Sequence, residues 1–135
     1  MYFLAIMAKG TSTAEEKKQL EDFLWGKPGQ SLILFHHFVA TFQSLAADVT
    51  VHPAKSMIGI ATPRKRIAWV TQIGKNFIHV VFPFTEAYED NLCFQKIAQV
   101  PGDIKQFNHH FRMYLKEDLN EEVIGFMKLA YKEGS

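Results

Sequence analysis

The hydrophobic period of this chain changes from helix-like to strand-like at Asp48, and that change constrains the fold more than any other feature. Before it, "SLILFHHFVATFQSLA" repeats apolar residues every three to four positions, the period of an amphipathic helix. After it, the apolar pattern becomes strand-like, and turns as short as "PRKR" and "GKN" separate the later segments. Turns of that length join antiparallel neighbours, because a parallel connection needs about a dozen residues or more.

Three helices are predicted around this pattern. The first lies within "TSTAEEKKQLEDFLWG", where Ser12 or Thr13 is expected to cap it and Gly26 to end it. The second is predicted from about residue 30 to residue 47. The last lies within "EDLNEEVIGFMKLAYKEGS", with Asp118 as the expected N-cap.

The strand-like stretches are "VTVHP", "SMIGIAT", "RIAWVTQI", "NFIHVVFPF" and "FNHHFRMYL". Residues 85–106 have no clear period and are expected to hold at most a short strand or an irregular helix. The sequence therefore predicts an α+β fold with N-terminal helices, an antiparallel meander sheet of four to five strands and a C-terminal helix. We expect a single domain over residues 1–135, with 1–26 as an N-terminal extension and short helix and 27–135 as the main domain.

Charge and cysteine content narrow the functional classes. A net charge of +1 argues against general nucleic-acid binding, for which a strongly basic domain is expected. Cys93 is the one cysteine and cannot form an internal disulfide, and the chain shows no convincing signal peptide, so a cytoplasmic location is expected. "MYFLAIM" is too short to span a membrane, and a start at Met7 would make residues 1–6 an extension.

The tripeptide His-His-Phe occurs twice, beginning at His36 and at His109, and holds four of the six histidines. Neither copy chelates a metal alone, because the helical copy has no second ligand three or four residues away and neighbouring strand residues face opposite ways. A metal site would need histidines from distant segments, and His36, His79 and His109 are the candidates. We expect instead that the histidines are structural and that the two copies do not meet.

Lys55, Arg64, Lys65, Arg66 and Trp69 are the candidates for binding an anion. Three of these cations follow one another in the turn "PRKR", with the others expected nearby. Phosphates are bound by clustered cations, and single-stranded nucleic acids need aromatic side chains as well. The alternative is a solvated turn that keeps one end of the sheet soluble.

The chain has more large apolar side chains than one core of this size needs. Trp69, Phe77, Phe82, Phe84 and Tyr88 cluster in and around the fourth predicted strand, where apolar residues occupy both faces. The second face could be covered by core packing, by a second protomer or by a ligand. These three explanations stay open at the level of sequence.

Two segments carry a resemblance to a known family. "KSMIGIATPRKRIAWV" (Lys55 to Val70) and "FRMYLKEDLNEEVIGFMKLAY" (Phe111 to Tyr131) resemble the domain of unknown function 5655. This is a bacterial family sometimes labelled a predicted transport protein, and the resemblance covers about residues 31–131. It implies an α+β fold and no established activity.

The sequence contains no GxxxxGK[ST], GxGxxG, HExxH or GxSxG motif. We therefore expect a non-enzymatic binding or interaction module that uses no cofactor, is not a membrane protein and can form a homodimer. One alternative is a nucleic-acid or anionic-ligand binder that uses the basic turn. A second alternative is an enzyme of unknown reaction that uses His36 or His37 with His109 or His110.

Overall fold

The computed structural model describes residues 14–135, so the predicted caps at Ser12 and Thr13 and the predicted start at Met7 lie outside the described residues. Within the described part, the helices are α1 (Ala14–Leu24), α2 (Gly29–Leu45) and α3 (Glu121–Gly134). The strands are β1 (Thr50–Pro53), β2 (Ile58–Ala61), β3 (Arg66–Ile73), β4 (Ile78–Phe84), β5 (Phe94–Gln99) and β6 (Phe107–Met113). The α+β class is confirmed. No helix in this part of the chain is long and apolar enough to cross a membrane.

The sheet is antiparallel and has the order β1-β2-β3-β4-β6-β5 within residues 14–135. It has six strands where the sequence predicts four to five, and only β1 to β4 follow one another as a meander. The additional strand is β5, whose sequence "FQKIAQ" has no regular alternation of buried and exposed residues. It pairs at the sheet edge with β6, the strand that follows it in the chain, so its position depends on that pairing and not on its own pattern.

The N-cap of α3 is Asn120 and not Asp118. The Asn120 side chain accepts a hydrogen bond from the backbone N–H of Val123 over 3.0 Å, which satisfies one of the free donors of the first turn. Asp118 instead accepts from the backbone N–H groups of Tyr114 and Leu115, at 2.8 and 2.9 Å. Asp118 therefore closes the turn after β6, which precedes the N-cap of α3 in the chain.

The inner face of the sheet carries the hydrophobic core. Ile58, Val70, Val80 and Phe111 lie opposite one another on β2, β3, β4 and β6, and each is at most 2% exposed. All three helices also contribute buried side chains to the core. These side chains are Leu20, Leu24, Leu34, Phe35, Phe38, Val39, Phe42, Val123, Met127 and Ala130. Since α1 contributes to the same core, the short first helix and the main part of the chain are packed together.

The outer face is built by the alternate residues of the same strands. Gly59, Trp69, Val81, His110 and Lys96 follow one another across β2, β3, β4, β6 and β5. They point away from the buried row, because successive residues of a strand face opposite sides of the sheet. Trp69 and His110 are half-buried and Lys96 is exposed, so this face is open to a ligand.

Candidate anion-binding site

Polar and aromatic side chains meet on the outer face where β4 and β6 pair. His79 lies on β4 opposite Arg112 of β6, and His110 lies two residues before Arg112 on the same face. Phe77 and Tyr114 follow at the adjoining end, with ring centroids 5.8 Å apart. We call Phe77, His79, His110, Arg112 and Tyr114 the outer-face cluster.

The hydrogen bonds of the cluster run in one direction. Nε of Arg112 donates to Nδ1 of His79 over 3.3 Å, and Nε2 of His79 lies 2.9 Å from Nδ1 of His110. An arginine nitrogen only donates, so Nδ1 of His79 is the acceptor and its proton sits on Nε2. That proton is donated to Nδ1 of His110, which leaves His110 with its own N–H on Nε2, a donor without an acceptor among the described residues.

Both imidazoles are held in the neutral form. Burial lowers the pKa of His79, and the positive charges of Arg112 and Lys96 act in the same direction. Burial also lowers the pKa of His110, again with the help of Lys96. At neutral pH each ring therefore has one N–H donor and one lone pair, as the hydrogen-bonded chain requires.

The cations on this face have no carboxylate partner within the described residues. The one contact there that is short enough for an ion pair joins Nδ1 of His52 to Glu16 over 2.9 Å, at the β1 edge. Arg66, Lys96 and Arg112 lie on the outer face away from that edge. The positive charge of the face is thus left for a ligand to neutralise.

Arg112 and Phe77 form a cation–aromatic pair. The guanidinium lies 4.1 Å from the centroid of the Phe77 ring, well within the range of attraction between a cation and a ring face. Tyr114 is 41% exposed and completes this end of the face. The guanidinium is thereby fixed in orientation while its terminal nitrogens remain available as donors.

A second cation–aromatic pair lies on β3. The guanidinium of Arg66 is 6.0 Å from the centroid of Trp69. Gly59 lies beneath both side chains, and a Cβ there would be 2.9 Å from Arg66 and 3.1 Å from Trp69. Glycine at this position therefore allows the indole to lie close against the sheet.

The basic turn between β2 and β3 is fastened to the end of α3. The Thr62 hydroxyl donates to the carbonyl of Gly134 over 2.7 Å and accepts from the backbone N–H groups of Arg64 and Lys65. Nη1 of Arg64 donates to the carbonyl oxygen of Ser135 over 2.7 Å. Arg64 thus stabilises the contact between turn and helix, while the Lys65 side chain is exposed.

The five predicted anion-binding residues are therefore not one cluster. Arg66 and Trp69 come together, whereas Arg64 is bound to the end of α3. Lys55 lies in the turn before β2 and Lys65 in the turn after it, and four residues of strand separate the turns by roughly 13 Å. The sequence grouped these cations by their order in the chain, whereas the fold separates them.

The three predicted metal ligands occupy different parts of the fold. His36 lies on α2 and is 8% exposed, His79 is on the outer face, and His109 is on the inner face with 0% exposure. Within residues 14–135 no group of three or more His, Cys, Asp or Glu side chains could hold a metal ion. His110, from the second tripeptide, bonds to His79.

Cys93 is a weak candidate for a nucleophile. Burial raises the pKa of its thiol to about 12, with a further contribution from the nearby carboxylate of Glu122. The thiolate is the reactive form, so this thiol is inert at neutral pH.

A groove between α1 and α2 is the second surface feature of note. Glu21, Leu24, Trp25, Gly26 and Leu32 line a space of about 530 Å³. Trp25 is 86% exposed at its rim. An indole in water beside an apolar groove is typical of a contact surface.

Sequence reasoning places single members of the outer-face cluster correctly but misses the cluster. Strand alternation puts His79 with Phe77 and Val81, and it puts His110 with Arg112. The contact between His79 and His110 depends on β6 lying beside β4 in one register. That register is a long-range property that no local pattern carries.

No family model, curated protein or solved structure matches this chain. The resemblance to the domain of unknown function 5655 therefore stays a prediction. What the site can do follows from its chemistry alone, which is a row of hydrogen-bond donors and cations beside aromatic rings.

Proposed function

We propose that this chain is a non-enzymatic binding module that takes an anionic ligand on the outer face of its sheet. The observation that carries the proposal is the directed hydrogen-bonded chain from Arg112 through His79 to His110. It ends in the Nε2–H of His110 on the outer face, and Lys96 lies directly opposite His110 in the strand register. Donors and cations without a carboxylate suit a phosphate or a carboxylate.

The same hydrogen bonds favour a binder over an enzyme. A general base must offer a lone pair to the proton that it removes. Nδ1 of His79 already accepts from Arg112, and Nδ1 of His110 already accepts from His79. Neither neutral imidazole therefore has a lone pair left to accept a proton, and the remaining N–H of His110 is a donor that can hold a ligand.

Titration with pyrophosphate, followed by calorimetry and by amide chemical shifts, tests the proposal. We expect binding that Arg112→Gln weakens about tenfold and the more exposed Lys96→Gln about threefold, as loss of charged hydrogen bonds implies. Lys128→Gln is the matched control, since Lys128 is an exposed cation on α3. The proposal fails if pyrophosphate does not bind, or if all three variants behave alike.

Self-association is a second candidate function, carried by the groove beside Trp25. A two-fold dimer needs a surface that is complementary to itself. Trp25 protrudes next to a groove of about 530 Å³, so one patch offers both an aromatic side chain and a space for one. Light scattering should show a dimer that Trp25→Ala converts to a monomer, and equal masses for the two proteins would contradict it.

A further inference from the structure

We infer that the anionic ligand of the outer face is single-stranded nucleic acid, RNA or DNA, an inference that rests on the proposed anion binding. A single strand offers two things in alternation, phosphates and flat bases. The outer face offers the matching partners, cations and aromatic rings that are at least partly exposed, at two separate places. These places are the pair of Arg66 with Trp69 and the trio of Phe77, Arg112 and Tyr114.

The distance between the two places requires a ligand with a repeating structure. Trp69 lies opposite Val81 on β4, and Phe77 precedes Val81 by four positions. At about 3.4 Å per residue, the two aromatic groups are roughly 14 Å apart along the sheet. One phosphate or one base cannot reach both, whereas a strand of several nucleotides contacts both at once.

A donor and two cations beside the aromatic places suit a phosphate backbone. His110 and Lys96 lie in the same row across the sheet as Trp69, and Arg112 lies two residues further along β6, next to Tyr114. The neutral His110 donor and these two cations hold a phosphate without requiring a proton from it. The path from Trp69 to Tyr114 thus runs over His110 and Arg112, where the phosphates of a strand lie while its bases reach the rings at either end.

The aromatic rings distinguish single strands from duplexes and from acidic peptides. Bases in a duplex are already stacked on each other, so their faces are not free for Trp69 or Tyr114. An acidic peptide would satisfy Lys96 and Arg112 but would leave the ring faces unused. Base stacking on aromatic side chains accepts any sequence, because every base has a flat face.

The small net charge is compatible with this inference because the charge is unevenly distributed. A net charge of +1 is low for a nucleic-acid-binding domain. Glu121 and Glu122 begin α3, and Glu86, Glu89 and Asp90 lie in the segment after β4, so many carboxylates lie off the outer face. Three outer-face cations predict a slope of about −2 for log K against log salt with a single strand.

Tryptophan fluorescence gives a direct readout of stacking. The chain has two tryptophans, so Trp25→Phe leaves Trp69 as the single reporter. We expect oligouridylate and oligothymidylate of about eight nucleotides, a length within the range for such sheet surfaces, to quench Trp69. An abasic chain with the same number of phosphates should not quench it and should bind about tenfold more weakly.

Variants separate the aromatic part of the site from its cations. Tyr114→Leu changes an exposed side chain and is expected to fold normally, and it should weaken oligonucleotide binding about tenfold. Trp69→Leu should do the same, with circular dichroism as the check on folding. Both variants should lose far less affinity for pyrophosphate than for the oligonucleotide, and Lys128→Gln should leave both ligands unaffected.

The outcomes distinguish this inference from the proposed function. If pyrophosphate binds but the abasic chain binds as tightly as the oligonucleotide, anion binding stands and the nucleic-acid inference is overturned. Equal affinity for duplex and single strand, or tighter binding of a polyglutamate peptide, also overturns it. If neither pyrophosphate nor an oligonucleotide binds, both proposals fail together.

Discussion

The backbone N–H of Tyr88 donates a hydrogen bond to Nε2 of His109 over 3.0 Å, which fastens the connection between β4 and β5 to the inner face of β6. Nδ1 of His109 lies 2.8 Å from the carbonyl of Phe107 and donates to it. Both ring nitrogens are thus used, and the ring is neutral, wholly buried and packed edge-on against Phe84 and Phe94. This contact lies where the chain passes β6 to reach the edge strand β5, a segment that the sequence leaves open between a short strand and an irregular helix.

Acid should destabilise the fold through this histidine. Burial lowers the pKa of His109 in the folded state, whereas in the unfolded chain it titrates near 6.5. As the pH falls below about 6.5, the unfolded state takes up a proton that the folded state does not, so the free energy of unfolding decreases. The pKa values of His36, His79 and His110 are lowered too, and they add to the same trend. Urea unfolding between pH 7.5 and pH 5 measures it.

His109→Phe isolates the contribution of this one ring. The phenyl group fills the same aromatic site but leaves the Tyr88 N–H and the Phe107 carbonyl without this partner, at a cost of about 1–3 kcal/mol at pH 7.5. The pH dependence should become shallower, and the Tyr88 amide should exchange with solvent faster. An unchanged pH dependence would show that His109 does not titrate on unfolding, contrary to its burial.

Anion binding should raise the pKa of His110 and of His79. Lys96 and Arg112 contribute to the lowering of these values, and a bound anion offsets their charge and favours the protonated rings. NMR titration of the imidazole signals in chloride and in pyrophosphate measures the shift. His109 is the internal control, because it lies on the opposite face and should titrate alike in both. A shift of equal size in all three histidines would mean that the anion acts through ionic strength alone.

Gly59→Ala should displace the indole of Trp69. The added Cβ would lie 2.9 Å from the flexible Arg66 side chain, which can move, and 3.1 Å from the Trp69 ring. We expect a loss of about 1 kcal/mol in stability, at the low end for overpacking, together with a changed emission of Trp69 in the Trp25→Phe background. Gly125→Ala is the matched control: nothing lies within 4 Å of its added Cβ, and it should slightly stabilise α3. Identical spectra for Gly59→Ala and its parent would contradict the close contact.

The parts of the fold that the sequence predicts are those in which each residue's environment is set by its near neighbours. The period of Phe35, Phe38 and Phe42 predicts α2 because those side chains share one face of one helix. "FQKIAQ" becomes a strand only by pairing with β6, and the order of β4, β6 and β5 is set by how residues 85–93 cross the sheet. Local patterns carry no information about that crossing.

The same limit applies to the candidate site. Arg66 and Trp69 are near each other in sequence, and the prediction that they act together agrees with their contact. His79 and Arg112 are 33 residues apart and meet only through the strand register. Sequence analysis therefore groups its candidate anion-binding residues around a turn, whereas in the structure the arginines that lie beside aromatic rings are on the sheet face.

Arg64 and Arg66 are two residues apart, and comparing them tests whether the ligand binds at the turn or on the outer face of the sheet. The Arg64 guanidinium is bound to the Ser135 carbonyl at the end of α3, whereas the Arg66 guanidinium lies by Trp69 on the outer face. Arg66→Gln should therefore weaken oligonucleotide binding and make the salt slope shallower by about 0.7. Arg64→Gln should leave the slope and the affinity unchanged and lower stability by at most about 1 kcal/mol, because its contact is exposed. Fluorescence titrations at several salt concentrations measure both. If Arg64→Gln has the larger effect on binding, the turn itself is the site, as its sequence alone suggests, and the outer face is not.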